Sequence, residues 1–180
     1  VSTSQSEERR FVTVLFADVV GFTELAGRVG PERAYFAVTG ALRILDGIAR
    51  RHGGSVDKYL GDSLLVVFGH PVPIADPARA AASAALEMRA RLREYGRELA
   101  LETPLEFVAG INTGAMVAGD IRGRVIREFH VLGDAVNVAA RLKSKAPRGG
   151  IYVGPETHAE TEGAFDCREL GRLKLKGKQA

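Results

Sequence analysis

The sequence predicts an α+β fold: a sheet with helices on one face, built in the order βααββαβ and followed by further strands. Three observations carry that expectation. Runs of β-branched and aromatic residues alternate with Ala-rich segments of helical period. The alternation is irregular and interrupted by a tight hairpin, so the regular rhythm of an all-parallel sheet is absent. Finally, 180 residues at 46% hydrophobic and 26% charged have the size and composition of one domain. Such a domain buries a core without help from a disulfide or a structural metal.

Residues 1–10 are polar and charged, and read as a disordered lead-in to a domain spanning 11–180. Residues 11–17, Phe-Val-Thr-Val-Leu-Phe-Ala, are too apolar for a half-exposed strand and predict a central one that runs out at Asp18. Val19-Val20-Gly21-Phe22-Thr23-Glu24 leads into a helix start. Pro31-Glu32 opens a longer helix to about Arg51, with Tyr35, Val38, Leu42, Leu45 and Ile48 near helical spacing. Residues 55–60 and 63–68 form a hairpin turned at Gly61-Asp62, where Gly supplies the positive φ. Asp76-Pro77 starts an Ala-rich helix to about Leu101. Residues 105–112 are a strand that 115–118 continue, and 125–131 are another. A helix over 134–145 is stopped by Pro147 and Gly149-Gly150. Residues 151–153, 165–170 and 172–176 are the last strands, with a short helix from Pro155 after the first of them.

Composition narrows the function classes. The net charge of +3, from 25 Lys plus Arg against 22 Asp plus Glu, does not predict nucleic-acid binding. At 7% aromatic residues and no Trp, base-stacking platforms are sparse. The single cysteine, Cys167, cannot form an internal disulfide, which suits a reducing, cytoplasmic setting. No apolar run approaches the ~20 residues of a membrane-spanning helix, so no membrane contact is expected from this segment. The chain starts at Val1 without Met and stops in mid-pattern at Ala180, the expectation for a piece of a longer protein.

Two aspartates draw attention first. Asp18 ends the central strand and Asp62 sits in the hairpin turn, at the strand ends where ligands collect. If the hairpin lies beside the first strand, the carboxylates converge as hard oxygen ligands suited to Mg²⁺ or Mn²⁺. Taken singly, Asp62 reads equally as a turn residue and Asp18 as a helix cap. Gly114 and Gly119 have the spacing of a phosphate-binding loop, but Asp120-Ile121 replaces the required Lys and hydroxyl, which excludes it. The four histidines (52, 70, 130 and 158) are scattered. A lone Arg141 on an amphipathic helix reads as a solvated charge, and the basic end at Arg172, Lys174, Lys176 and Lys178 as a protected strand edge or a polyphosphate contact.

Taken together the motifs are more specific. Phe16-Ala17-Asp18-Val19-Val20-Gly21-Phe22-Thr23, Asp57-Lys58-Tyr59-Leu60-Gly61-Asp62-Ser63, Leu132-Gly133-Asp134-Ala135-Val136-Asn137-Val138-Ala139-Ala140-Arg141 and Leu175-Lys176-Gly177-Lys178 occur in this order. The series resembles the class III nucleotidyl cyclase catalytic domain of adenylyl and guanylyl cyclases, in its bacterial form. The resemblance covers nearly the whole folded chain and implies a ferredoxin-like, palm-type core. It implies conversion of ATP to 3′,5′-cyclic AMP and pyrophosphate by attack of the ribose 3′-OH on the α-phosphorus. Asp18, Asp62 and the backbone carbonyl of Val19 match the ligands of two Mg²⁺ or Mn²⁺ ions per site. Asn137 matches the residue that orients the ribose, and Arg141 the one that stabilises charge at the α-phosphate. Lys176 matches a lysine near the terminal phosphates, with Arg124 or Arg127 as further phosphate contacts.

The resemblance also implies a head-to-tail homodimer, metal aspartates from one chain meeting the Asn/Arg pair of the other, and regulatory domains in the parent chain. Lys58 matches the residue that reads the purine. An ammonium only donates, so it suits adenine N1 and opposes the protonated N1 of guanine. Beside it the family usually places Asp, Thr or Ser, whereas the matching position here is His130. A neutral imidazole accepts from the adenine amino group, but a protonated one donates and suits guanine O6. Guanylate or mixed specificity therefore stays open, as does His130 merely lining the pocket. So does an inactive nucleotide-binding or dimerisation module. A cyclic-dinucleotide synthase of similar core would carry a Gly-Gly-Asp/Glu-Glu-Phe hairpin, which Leu60-Gly61-Asp62-Ser63 does not supply.

Overall fold

The structure is a computed structural model that describes residues 8–102, 105–118 and 134–171. Its centre is a pair of long antiparallel strands, β1 (Glu8–Val20) and β4 (Glu106–Ala118), in register from Glu8↔Ala118 to Val20↔Glu106. β1 therefore begins inside the stretch whose polarity suggests a lead-in, because the backbone of residues 8–10 pairs with that of 116–118. It also continues two residues past Asp18.

α1 (Phe22–Val29) and α2 (Pro31–Arg51) follow. β2 (Gly54–Leu60) and β3 (Ser63–Phe68) form the expected hairpin, with Gly61 at φ 67 in its turn. α3 (Pro77–Glu98) is capped by Asp76, whose carboxylate accepts from the Arg79 backbone N–H at 3.0 Å. It ends three residues short of Leu101. α4 (Asp134–Lys145), β5 (Ile151–Val153) and α5 (Pro155–Glu160) complete the chain order. The sheet runs β2-β3-β1-β4-β5, with β1 antiparallel to both neighbours and β5 parallel to β4.

The central strands are apolar on both sides because both sides are covered. Leu15, Ala17 and Val19 of β1, with Leu64, Val66 and Phe68 of β3, face the buried residues of α1, α2 and α3. That is the expected core with its helices on one face. Val12, Val14, Phe16, Leu65 and Val67 point the other way and pack against Ala135 and Ala139 of α4. The second face is thus covered too, by a helix, where the sequence predicted helices on one face only.

α4 can lie so close because β4 offers glycines beneath it. A Cβ on Gly110 would collide with the backbone oxygen of Ala139 and the backbone nitrogen of Lys143. One on Gly114 would sit 3.3 Å from the Ala135 Cβ. Gly114 thus serves as a seat for α4.

Residues 165–170, expected as a strand, are irregular. Only Phe165 packs against the core while 166–170 are exposed, and no described strand pairs with them. The expected strands over 125–131 and 172–176 lie outside the described residues. No described helix is long and apolar enough to cross a membrane.

Candidate active site

The site lies on the sheet face that carries α4. Asp18 is in register with Ser63 of β3, and alternation puts both on the same side as Phe16 and Leu65. The Ser63 hydroxyl donates to Asp18 Oδ1 at 3.0 Å. Asp62 immediately precedes Ser63, and its carbonyl accepts from the Val19 backbone N–H at 3.1 Å. The hairpin turn is thus tied directly to the end of β1, so it lies beside the first strand and the Asp62 backbone stands next to Val19. The Val19 side chain itself is fully buried on the opposite face, leaving only its backbone for any ligand role.

A fourth group was not foreseen. Lys143 stands four residues after Ala139 and so returns to the sheet-facing side of α4. Its ammonium donates to Asp18 Oδ2 at 2.7 Å and to Ser63 Oγ at 3.3 Å, and lies 5.8 Å from the centroid of the Phe16 ring. Both side chains of the ion pair are only about a fifth exposed, 20% for Lys143 and 19% for Asp18. Nothing in the sequence marks Lys143, and Ser63 stands only as the end of the hairpin motif, since their meeting depends on how α4 crosses the sheet.

Lys58 shares this face. It pairs with Leu65, which pairs with Phe16, so it stands two strands across and one pleat repeat along from Asp18, roughly 12 Å away from strand spacings. A bulge between Val56 and Lys58 inserts Asp57 as an extra residue. The Lys58 ammonium lies 3.3 Å from Asp57 Oδ2, too oblique for a hydrogen bond, so charge alone holds that buried oxygen.

Asn137 and Arg141 are placed differently. Each follows Ala135 or Ala139 by two residues, roughly 200° round the helix, so both project away from the sheet that α4 covers. Asn137 is exposed and Arg141 half-buried, and neither side chain has a hydrogen bond or ion pair to another described residue. Asp18 and Lys58 thus share one sheet face, with the Asp62 turn beside Asp18, whereas the Asn/Arg pair projects away from that sheet. His130, Arg124, Arg127 and Lys176 lie outside the described residues.

Asp18 and Asp62 are hard oxygen donors beside a carbonyl, on a face where Asp18 already draws a cation, so the donor chemistry fits a divalent ion. Among the described residues no three His, Cys, Asp or Glu converge, so further ligands for such an ion would come from beyond that set.

The family description of the adenylate and guanylate cyclase catalytic domain matches residues 4–180. The chain belongs to that family. The cyclase domain is 37% identical over 167 residues to an adenylate cyclase of Mycobacterium tuberculosis, covering 92% of this chain and 37% of that protein. It is 30% identical over 172 residues to the human guanylate cyclase soluble subunit beta-2, covering 95% of this chain and 28% of that one. The chain thus spans well under half the length of these curated relatives. Among solved structures it is similar to the adenylyl cyclase CyaB from P. aeruginosa, with TM-score 0.90, 30% identity, and coverage of 97% of this chain and 92% of that one. The palm-type fold that the resemblance implied is the fold observed.

Proposed function

We propose that the domain is an adenylate cyclase that makes 3′,5′-cyclic AMP and pyrophosphate from ATP at sites shared across a head-to-tail homodimer. One observation carries the shared-site reading. The carboxylate cluster and the Asn137/Arg141 pair occupy different surfaces of one chain, and each needs what the other holds. A second copy supplies it.

In this reading Asp18, Asp62 and the Val19 carbonyl hold two Mg²⁺ or Mn²⁺ ions. When bound, these supply Lewis-acid charge that acidifies the ribose 3′-OH and offsets charge on the phosphates. Ser63 fixes the Asp18 carboxylate by its 3.0 Å hydrogen bond. Asn137 of the second copy orients the ribose, and Arg141, four residues on and hence on the same helix face, stabilises negative charge growing at the α-phosphate. Lys58 donates to adenine N1, with His130 beside the exocyclic amino group. Lys176 and Arg127 bind the terminal phosphates.

Guanylate or mixed activity is the second reading, favoured by His130 and by the similarity to a guanylate cyclase subunit. Regulatory domains elsewhere in a parent chain, and a cytoplasmic location, belong to the same proposal. The test is cyclic nucleotide formation by purified protein with Mn²⁺ and ATP or GTP, at several protein concentrations, beside Asp62→Ala. Cyclic AMP rising faster than linearly with protein and vanishing in the variant is the expected result. Dominant cyclic GMP selects the second reading, and no product from folded dimer contradicts both.

A further inference from the structure

We propose that Lys143 is an internal cation at the Asp18 carboxylate, and that divalent metal enters this site by exchange against it. The inference rests on the cyclase reading in one respect only, that Asp18 takes a divalent ion. Both oxygens of Asp18 are engaged: Oδ1 accepts from Ser63 at 3.0 Å and Oδ2 from Lys143 at 2.7 Å. The ammonium also reaches Ser63 Oγ at 3.3 Å, so it sits over the shared edge of the pair. At about a fifth exposed, the ion pair is screened far less than a surface pair. A divalent ion on the same carboxylate would face this positive charge within a few ångströms, a repulsion that water cannot damp fully.

The geometry also states which part can move. The backbone of Lys143 rests on Gly110 with no room even for a methyl group, so α4 holds the Cα in place. Only the four-carbon side chain is free to swing, and it stands near the C-terminal end of α4, two residues from Lys145. Displacement breaks one ion pair and one hydrogen bond and leaves the helix seated. Lys143 thus raises the metal concentration needed to load Asp18.

The test uses the full chain and Mn²⁺ alone, without nucleotide, with the free ion followed by its EPR signal. Lys143→Met is expected to bind Mn²⁺ about tenfold more tightly than wild type, the ratio that one broken ion pair of this burial corresponds to. Lys143→Arg keeps a cation and stays at the wild-type affinity. Lys143→Gln serves the same purpose as Lys143→Met should the latter fail to fold, and Asp18→Asn abolishes the binding that counts. Asp18-dependent affinity that is unchanged or weaker in the uncharged variants overturns the inference while leaving the cyclase reading intact. Absence of any Asp18-dependent Mn²⁺ binding overturns both. The expected tightening in a protein that makes no cyclic nucleotide supports the inference and sinks the cyclase reading.

Discussion

Gly110→Ala is the sharpest structural perturbation available, because the added methyl meets backbone on every side. Its Cβ collides with the Ala139 carbonyl oxygen and the Lys143 backbone nitrogen, and lies 3.1 Å from the Leu142 carbonyl carbon. No rotamer change relieves such contacts, so α4 must lift off β4. That opens the packing of Ala135 and Ala139 against Val12, Val14 and Phe16. Overpacking typically costs about 1–3 kcal/mol, and rigid neighbours put this site near the top of the range. For a domain of this size each kcal/mol shifts Tm by roughly 2–4 °C, so a fall of about 6–12 °C is expected. Far-UV circular dichroism melts measure it. Cyclase activity should fall as well, since Asn137, Arg141 and Lys143 ride on the same helix. Gly27→Ala, in α1 with nothing within 4 Å of the new Cβ, is the control and should leave Tm unchanged or slightly raised. A Gly110→Ala melt within about 1 °C of wild type refutes the claim that α4 is seated on this glycine.

Three further outcomes follow from the same account. Chelation with EDTA should abolish cyclic nucleotide formation and excess Mn²⁺ restore it, while circular dichroism stays unchanged because the core needs no metal. The ATP:GTP ratio of kcat/KM should fall between pH 8.5 and pH 6 if His130 reads the base, since its protonated ring donates to guanine O6; a flat ratio removes that role. Glu87 on α3 is held below the usual carboxylate range by its hydrogen bond with His52 and by Arg51. A depressed folded-state pKa stabilises above the ordinary value of 4.5 and loses that contribution as pH falls through the lowered one. Glu87→Gln should therefore destabilise the fold at pH 7 by less than about 1 kcal/mol for so exposed a pair, read as a slightly lower Tm, and the difference should shrink in acid.

Much of the fold was legible because its local signals agree with its tertiary demands. The continuous apolar run over 11–17 anticipated a strand buried on both faces, and Gly61-Asp62 anticipated the hairpin turn whose backbone now holds Val19. The helix over 134–145 was legible in its ends but not in its place. Which face it covers depends on Gly110 and Gly114, twenty or more residues earlier in the chain, and such a separation gives no local signal of a close approach formed only on folding. For the same reason Asp18, Asp62, Asn137 and Arg141 stood out by motif, whereas Lys143 looked like any solvated lysine. Residues 165–170 were expected as a strand, but a strand also needs an edge to pair with, and none of the described strands offers one there.

The shared site is the central claim, and mixing two dead variants tests it most directly. Asp18→Ala and Arg141→Ala chains, each inactive alone, are combined under conditions where subunits exchange, and cyclic AMP formation is measured beside the heterodimer fraction. The account predicts recovery to about a quarter of wild-type activity in an equal mixture, because half the dimers are mixed and each mixed dimer rebuilds one of its two sites. Heterodimers that form in full yet make no cyclic AMP contradict it.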